Sequence, residues 1–560
     1  MLAPQNAEPS IGDIMGNSME EWYDEIDNCL EINETIPNTY RYNAATSYGN
    51  TGPITEGSTT FIDLLANQYE VLKIDNSYIN VEMTYPITPS AALSGDSITE
   101  YYIGFKYAAA AISQYRIYSS TDLIYTETHP QYEWLLMYNS TPEDVIRAND
   151  AFASIDKIRR HVNEVPGVYV DLKAIANGNT TVNVKIPLKI PLNSFLMLHN
   201  LKWLPQWAGK IRIEVMFSYK NLVVAPVIKP SLLMQCPQIQ IVMDEENNLK
   251  DADDPLIDLG FYQLNMPMRN RITIIYEDAN VSDLNDRGWT VTFASHQFNC
   301  NTSIASQIAV RTASYMIRAN VFNALAVKYA EVPLLFPIQT IAHVDLTTSL
   351  SDPDGSPVRN VSSACTVSLR HSDTMFVLFK ESNIYSTQRF VQPMLSNYQF
   401  RIDNKLYPEE AYNSFNDPRT VNMTLDALNI NNSNFTSITE DMRSSMQPFC
   451  TRYVANATGA LTEERTFTDG SCDNHFIAIP FCDDEVFQGG ISSPATIQIS
   501  LTAQRSDAIT RYYARKLEQP TLVFMQDNVF KIRSVKPIGS PQCSITQAPV
   551  EQLISSNGRI

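Results

Sequence analysis

The residues best suited to chemistry are few and scattered. Cys472, Asp473, Asn474 and His475 form a CxxH, with Cys482 a little further on. Thiolate and imidazole ligands suit zinc, but a closed zinc site takes four ligands. This stretch supplies three, and it also suits a turn that opens the strand Phe476–Phe481. The expectation is therefore no metal. Asp244 to Pro255 is acidic like a calcium loop, but that loop needs Gly at its sixth place and Glu at its twelfth. Leu249 and Pro255 stand there instead. Asp352-Pro353-Asp354-Gly355 is first of all a turn. No HExxH, GxSxG, GxGxxG or GxxxxGK[ST] occurs among the 560 residues. A glycoside-cleaving pair needs only two carboxylates brought together by the fold, and 61 Asp and Glu leave that open. Trp203 and Trp207 are the best candidates for a sugar-stacking platform; as large aromatics they also suit a plug packed on a domain end. No catalytic, cofactor-binding or metal residue is assigned, no cofactor is expected, and the chain is not expected to be an enzyme.

The bulk composition says what must position such groups. Hydrophobic residues make up 44% and aromatics 10%, enough for large cores, and the length suits two big domains. The formal net charge is -20. Gripping a phosphate backbone takes clustered Lys and Arg, and the adjacent Arg159 and Arg160 are flanked by Asp156 and Glu164. Specific nucleic-acid binding is not expected. The eight cysteines, Cys29, Cys236, Cys300, Cys365, Cys450, Cys472, Cys482 and Cys543, contain no CxxC and do not resemble a secreted disulfide framework. No apolar run reaches a membrane span and the acidic N-terminal region lacks a secretory pattern, so a soluble protein made in a reducing compartment is expected.

Period-two alternation dominates the chain. Ile79, Val81, Met83 and Tyr85 form one buried set; Val182, Val184, Ile186, Leu188 and Ile190 form another. Pro187 and Pro191 lie on the outer side of the latter, which predicts an edge strand or a bend. Tyr115–Tyr118 and Leu123–Glu127 flank a turn-forming cluster and predict a hairpin. A helix is expected from Thr141 to about Arg160, and a short acidic one within Ser18–Ile32. Strands are expected at Met375–Phe379, Tyr398–Ile402, Ile477–Phe481 and Ile497–Leu501. Leu522–Met525 and Val529–Val535 are read as two strands around Gln526-Asp527-Asn528. Asp417 to Thr439 is read as a long exposed loop, and the polar, acidic stretch from Pro226 to 259 as an interdomain connector.

Two segments carry a family resemblance. Gly104 to Tyr118 contains Phe-Lys-Tyr, the alanines 108–111, and Ile-Ser-Gln-Tyr-Arg-Ile-Tyr. Arg389 to Pro408 runs through Pro393, Ile402, Asp403, Tyr407 and Pro408. Together they resemble double jelly-roll major capsid proteins of the polinton, polinton-like virus and virophage branch. In that family a Pro-containing stretch leads into a strand of the second jelly roll, followed by an Asp-Gly-type turn and a Tyr-Pro or Phe-Pro pair. Asn404 stands where Gly is commoner, and Asn tolerates positive φ next best. Lys185 to Phe217 also looks like the end of a first jelly roll.

The expected fold is thus all-β: two tandem jelly-roll β-sandwiches with a few short helices in loops. The expected division is an N-terminal arm (1–53), a first jelly roll (54–225), a connector (226–259), a second jelly roll (260–540) and a C-terminal tail (541–560). The resemblance implies a virion protein, made in the host cytoplasm. Its homotrimers form pseudo-hexameric, hexon-like capsomers that tile an icosahedral shell around double-stranded DNA. Implied partners are other copies, a penton or vertex protein, and minor capsid or cement proteins. The alternative is a carbohydrate-binding or glycoside-cleaving β-sandwich.

Overall fold

The computed structural model describes residues 21–27, 41–46, 53–64, 69–92, 100–105, 107–119, 122–140, 167–175, 180–199, 201–205, 211–226, 239–243, 262–263, 271–276, 288–292, 297–331, 334–346, 358–369, 372–381, 390, 393, 395–402, 405–414, 417–428, 449–455, 461–467, 475–481, 494–504, 517–534 and 543–549. Sixteen of its strands build two sandwiches. The first contains β1 (Arg41–Thr46), β2 (Thr59–Leu64), β3 (Glu70–Pro89), β4 (Ile112–Ser119), β5 (Asp122–Glu127), β6 (Val182–Pro191), β7 (Ile211–Phe217) and β8 (Ile304–Met316). The second contains β9 (Leu334–Asp345), β10 (Val358–Ser368), β11 (Ser372–Glu381), β12 (Leu395–Ile402), β13 (Lys405–Tyr412), β14 (Phe476–Pro480), β15 (Pro494–Gln504) and β16 (Leu517–Ser534).

The pairing repeats. One sheet of the first sandwich runs β1-β8-β3-β6 and the other β2-β7-β4-β5. The second sandwich has β9-β16-β11-β14 and β10-β15-β12-β13. Adding eight to each strand number converts one half into the other. All these pairs are antiparallel, and in both halves the order is 1-8-3-6 over 2-7-4-5. That is a jelly roll: an eight-strand ribbon folded over so that the first and last strands lie side by side. Alternation drives it. Ile79, Val81, Met83, Tyr85 and Ile87 of β3 point into the first core with Ile186, Leu188 and Ile190 of β6. Met375, Val377 and Phe379 of β11 meet Phe400, Ile499 and Phe524 in the second. Among the described residues β6 pairs with β3 alone, at a sheet edge, the first of the two placements its prolines allow.

The expected boundary between the domains is corrected by β8. This strand, placed by sequence in the second domain, is hydrogen-bonded along β3 from Ile304 opposite Thr84 to Met316 opposite Glu70. Residues 226–259 therefore fall inside the connection between β7 and β8, not between domains. The true link is helix α3 (Ala319–Glu331), whose Phe322, Leu325 and Tyr329 pack on the first core.

The long connections of the first sandwich also pair with one another. Glu100–Gly104 lies between β3 and β4, Gly167–Asp171 between β5 and β6, and Val223–Pro226 and Tyr262–Gln263 between β7 and β8. They form one further four-stranded sheet. Gly167 is required there, because a Cβ would lie 2.1 Å from the Tyr102 hydroxyl. Ile239–Met243, Arg271–Tyr276 and Gly288–Thr292 make a three-stranded sheet in the same excursion.

Three more expectations change. Leu517–Ser534 is one continuous strand, not two around a turn. Gln526, Asp527 and Asn528 are buried in its middle, where the Asn528 amide donates to Thr340 Oγ1 at 2.6 Å. Pro418–Ala427, read as loop, is helix α4: Asp417 caps it by accepting from Arg419 N–H at 2.9 Å, Pro418 sits in the first turn, and Val421 and Leu425 meet a buried cluster. A helix missed by sequence, α2, spans Pro130–Ser140. The expected helix from Thr141 to Arg160 lies outside the described residues.

Candidate functional site

The seam between the sandwiches is built by α2, which follows β5 almost directly. Its Tyr132, Leu135 and Leu136 are buried against Phe376 and Leu378 of β11, Phe476 and Ala478 of β14, and Val523 of β16. These are the alternate residues of strands whose other faces line the second core, so β11, β14 and β16 are buried on both sides. Trp134 turns the other way into the first core, edge-on to Tyr107 at 6.4 Å. Beside the helix start, the His129 ring lies 4.1 Å from that of His343 on β9, with Tyr132 at 5.5 Å from His343.

Between α2 and the first sandwich the fold brings two carboxyls together. Tyr115 on β4 places its hydroxyl 2.8 and 2.6 Å from the two Glu133 oxygens. The Tyr125 hydroxyl lies 2.7 Å from Glu127 Oε2 and 3.1 Å from Glu133 Oε1. Glu127 Oε1 accepts the His129 N–H at 2.6 Å. Glu133 is wholly buried, and burial, with the Glu127 charge beside it, pushes its carboxyl well above the usual range. Burial raises Glu127 and both phenols too. The Tyr125 hydroxyl thus bridges the two carboxyls, closer to Glu127 than to Glu133. A glycosidase also uses two carboxyls, but it presents them to a sugar in a cleft. Here both are sealed beneath the seam helix, which suits a structural latch.

Helix α1 (Glu21–Asp27) forms a second clasp. Trp22 is fully buried, donates its indole N–H to the Trp203 carbonyl at 3.0 Å and meets Tyr329 of α3 edge-on at 5.4 Å. The Tyr23 hydroxyl accepts the Lys202 N–H at 2.9 Å and its ring packs against Phe336 of β9. Lys328 pairs with Glu21 at 2.6 Å and with Glu25. The arm thus grips the body of its own chain near the link between the sandwiches.

The remaining sequence candidates resolve as follows. Trp203 is buried, not an open platform, and packs on Tyr315 at 5.2 Å; Trp207 lies outside the described residues. His475 is buried at the start of β14, its N–H on the Phe390 carbonyl at 3.0 Å, whereas Cys472 and Cys482 lie outside the described residues. So do Asp244 to Pro255 and Asp352 to Gly355. Among the described residues no group of three or more His, Cys, Asp or Glu is arranged to hold a metal, and no helix is long and apolar enough to cross a membrane. The Arg389–Pro408 segment lands on β12 and β13. Ile402 and Lys405 are paired, leaving 403 and 404 as the two-residue loop, and Pro393 is buried. Sequence reasoning missed Glu127 and Glu133; Pro130 in the first turn, with Glu133 after it, is the signal that α2 offered.

No family model matches the chain, and no curated protein matches it. Among solved structures it is similar to the mavirus major capsid protein, at 10% identity, over 93% of this chain and 92% of that one, with a TM-score of 0.47. It is similar to the Sputnik virophage structure at 11% identity over 94% of each chain, with a TM-score of 0.44. For the PBCV-1 virus capsid the figures are 10%, 91% of this chain, 99% of that one and 0.35. On its own strand pairing, the chain is a double jelly-roll protein.

Proposed function

We propose that this chain is a major capsid protein, a building block whose trimers tile a closed viral shell around double-stranded DNA. The observation that carries this is the repeat of one jelly-roll topology, 1-8-3-6 over 2-7-4-5, within a single chain. Two like units locked side by side make a subunit of which three copies present six units around one axis. Closed cyclic symmetry is the usual outcome for such self-association. The seam supports the reading, since α2 and α1 lock the two units where a shell subunit must hold one shape. The segment that resembles capsid proteins falls on the matching β12–β13 hairpin. A net charge of -20 suits a container that encloses DNA without gripping it.

Penton or vertex proteins and minor cement proteins are the partners this role calls for, with the virion as destination and the host cytoplasm as the place of synthesis. The sealed carboxyl pair and the buried Trp203 both count against the carbohydrate-cleaving alternative. Size-exclusion chromatography with light scattering tests the proposal: three chain masses are expected, and a stable monomer or pentamer overturns it.

A further inference from the structure

The outward faces of the two 2-7-4-5 sheets differ in their described charges. On the first, charges are paired within the chain. Arg212 on β7 bonds Asp63 on β2 at 2.8 Å, and Glu214 on β7 takes Arg116 at 3.2 Å and the Tyr118 hydroxyl at 2.7 Å. On the second, β10 exposes Ser362, Ala364 and Thr366, and β15 exposes Thr496, Gln498 and Ser500. They sit in register, Ser362 opposite Ser500, Ala364 opposite Gln498 and Thr366 opposite Thr496. On the β10, β15 and β12 part of this face the charge described is Arg401 of β12, opposite Gln498, and next to it on β13 stands Leu406, 45% exposed. Glu409 and Glu410 are exposed on the edge strand β13, where the register shifts, and Glu410 pairs with Arg419 at 3.4 Å.

We infer that this face is where a second copy of the chain docks, an acidic surface of that copy meeting Arg401. The inference rests on the capsid reading and specifies a contact for it. A chain of net charge -20 repels its copies. A face whose described centre has hydroxyls, amides and one guanidinium adds no like charge at the contact and supplies one attraction. Short side chains on a sheet let another surface approach closely, with water bridging the hydroxyls. At about 4.8 Å per strand, two strands of 11 residues, about 36 Å long, and two of 8 residues, about 27 Å long, give roughly 600 Å², three quarters of the ~800 Å² per partner of a standard interface. Leu406 adds an apolar contact at its side.

The test is Gln498→Glu with Ser500→Glu in the full chain, with Ser500→Ala as the neutral comparison. Both positions are exposed, so the thermal melt is expected to stay at the wild-type value. Association measured by light scattering is expected to weaken at least about a hundredfold in the double variant, since burying unpaired charge is costly, and to persist in Ser500→Ala. A double variant that assembles like the wild type overturns this face while leaving the capsid reading standing. A wild-type chain that never self-associates overturns both. Loss of glycan retention with association unchanged assigns the face to carbohydrate and also overturns the inference.

Discussion

Ser218 and Ser303, the residues that leave β7 and enter β8, donate their hydroxyls to the same carboxylate, Glu56, at 2.7 and 2.6 Å. The Tyr219 N–H adds a longer third bond at 3.3 Å. Everything between those two serines is the long excursion that carries the extra sheets. Glu56 therefore ties its two ends together. The Ser218 N–H to the Ala111 carbonyl, at 3.0 Å, fixes one of these ends to the core.

Replacing Glu56 by Ala leaves the two hydroxyls and the amide without their shared acceptor. Hydrogen bonds to a charged group contribute about 1.5–3 kcal/mol each, but Glu56 is only half-buried, so water substitutes in part. A loss of about 2–3 kcal/mol in urea unfolding is expected, with Ser218→Ala and Ser303→Ala each costing about 1 kcal/mol. Limited proteolysis should cut faster within residues 219–302 in the Glu56 variant. An unchanged midpoint and cleavage rate would show that the clamp contributes nothing.

The seam carboxyl makes stability fall with rising pH. Burial first, and the neighbouring Glu127 charge second, raise Glu133 in the folded state above its unfolded value. The folded chain therefore binds this proton more tightly than the unfolded one. The contribution is full below the unfolded value, about 4.3, and is lost as pH climbs toward the raised folded value. Thermal melts of the wild type should drop across that range, and Glu133→Gln, which cannot ionise, should flatten the drop. Equal slopes in both proteins would contradict a raised Glu133 carboxyl in the folded chain.

The arm helix is expected to carry a large share of its docking in one side chain. Trp22 is wholly buried between Trp203 and Tyr329, and truncating a buried Trp costs about 3–5 kcal/mol. Trp22→Ala should lower stability by about that amount and expose α1 to hydrogen exchange. A loss below about 1 kcal/mol would mean that the helix is merely resting on the body.

Charge should make association salt-dependent in the direction of strengthening. Raising ionic strength from about 0.01 M to about 0.15 M shortens the screening length from about 30 Å to about 8 Å, and copies of net charge -20 then approach more easily. Light scattering should show larger assemblies over that range. Dissociation with added salt would indicate that attractive ion pairs dominate the contacts instead.

Much of the fold is legible in local pattern, because one buried face makes a strand alternate. β3, β6 and β7 declare themselves this way, and the prolines of β6 even narrow its place to an edge or a bend. β8 does not. Its buried positions hold small residues such as Ala305 and Ala313, and its register shifts twice, between Ser306 and Ala309 and between Arg311 and Ala313. Each shift breaks the period of two, and its partner β3 is remote in sequence. The acidic stretch after Pro226 then reads as a linker by default. The carboxyl latch is hidden for a related reason: Glu127 ends a strand, Glu133 sits on a helix, and Tyr115 reaches them only across a hairpin. α4 was misjudged because its Asn- and Thr-rich surroundings mask the Asp417 cap and the Val421–Leu425 spacing.

The central claim is that three two-unit chains form one six-lobed block. Electron microscopy of the purified full-length chain tests it most directly. The account predicts class averages with threefold symmetry and six similar lobes around a centre. Two-lobed monomers at every concentration and salt, or rings of five, would contradict it.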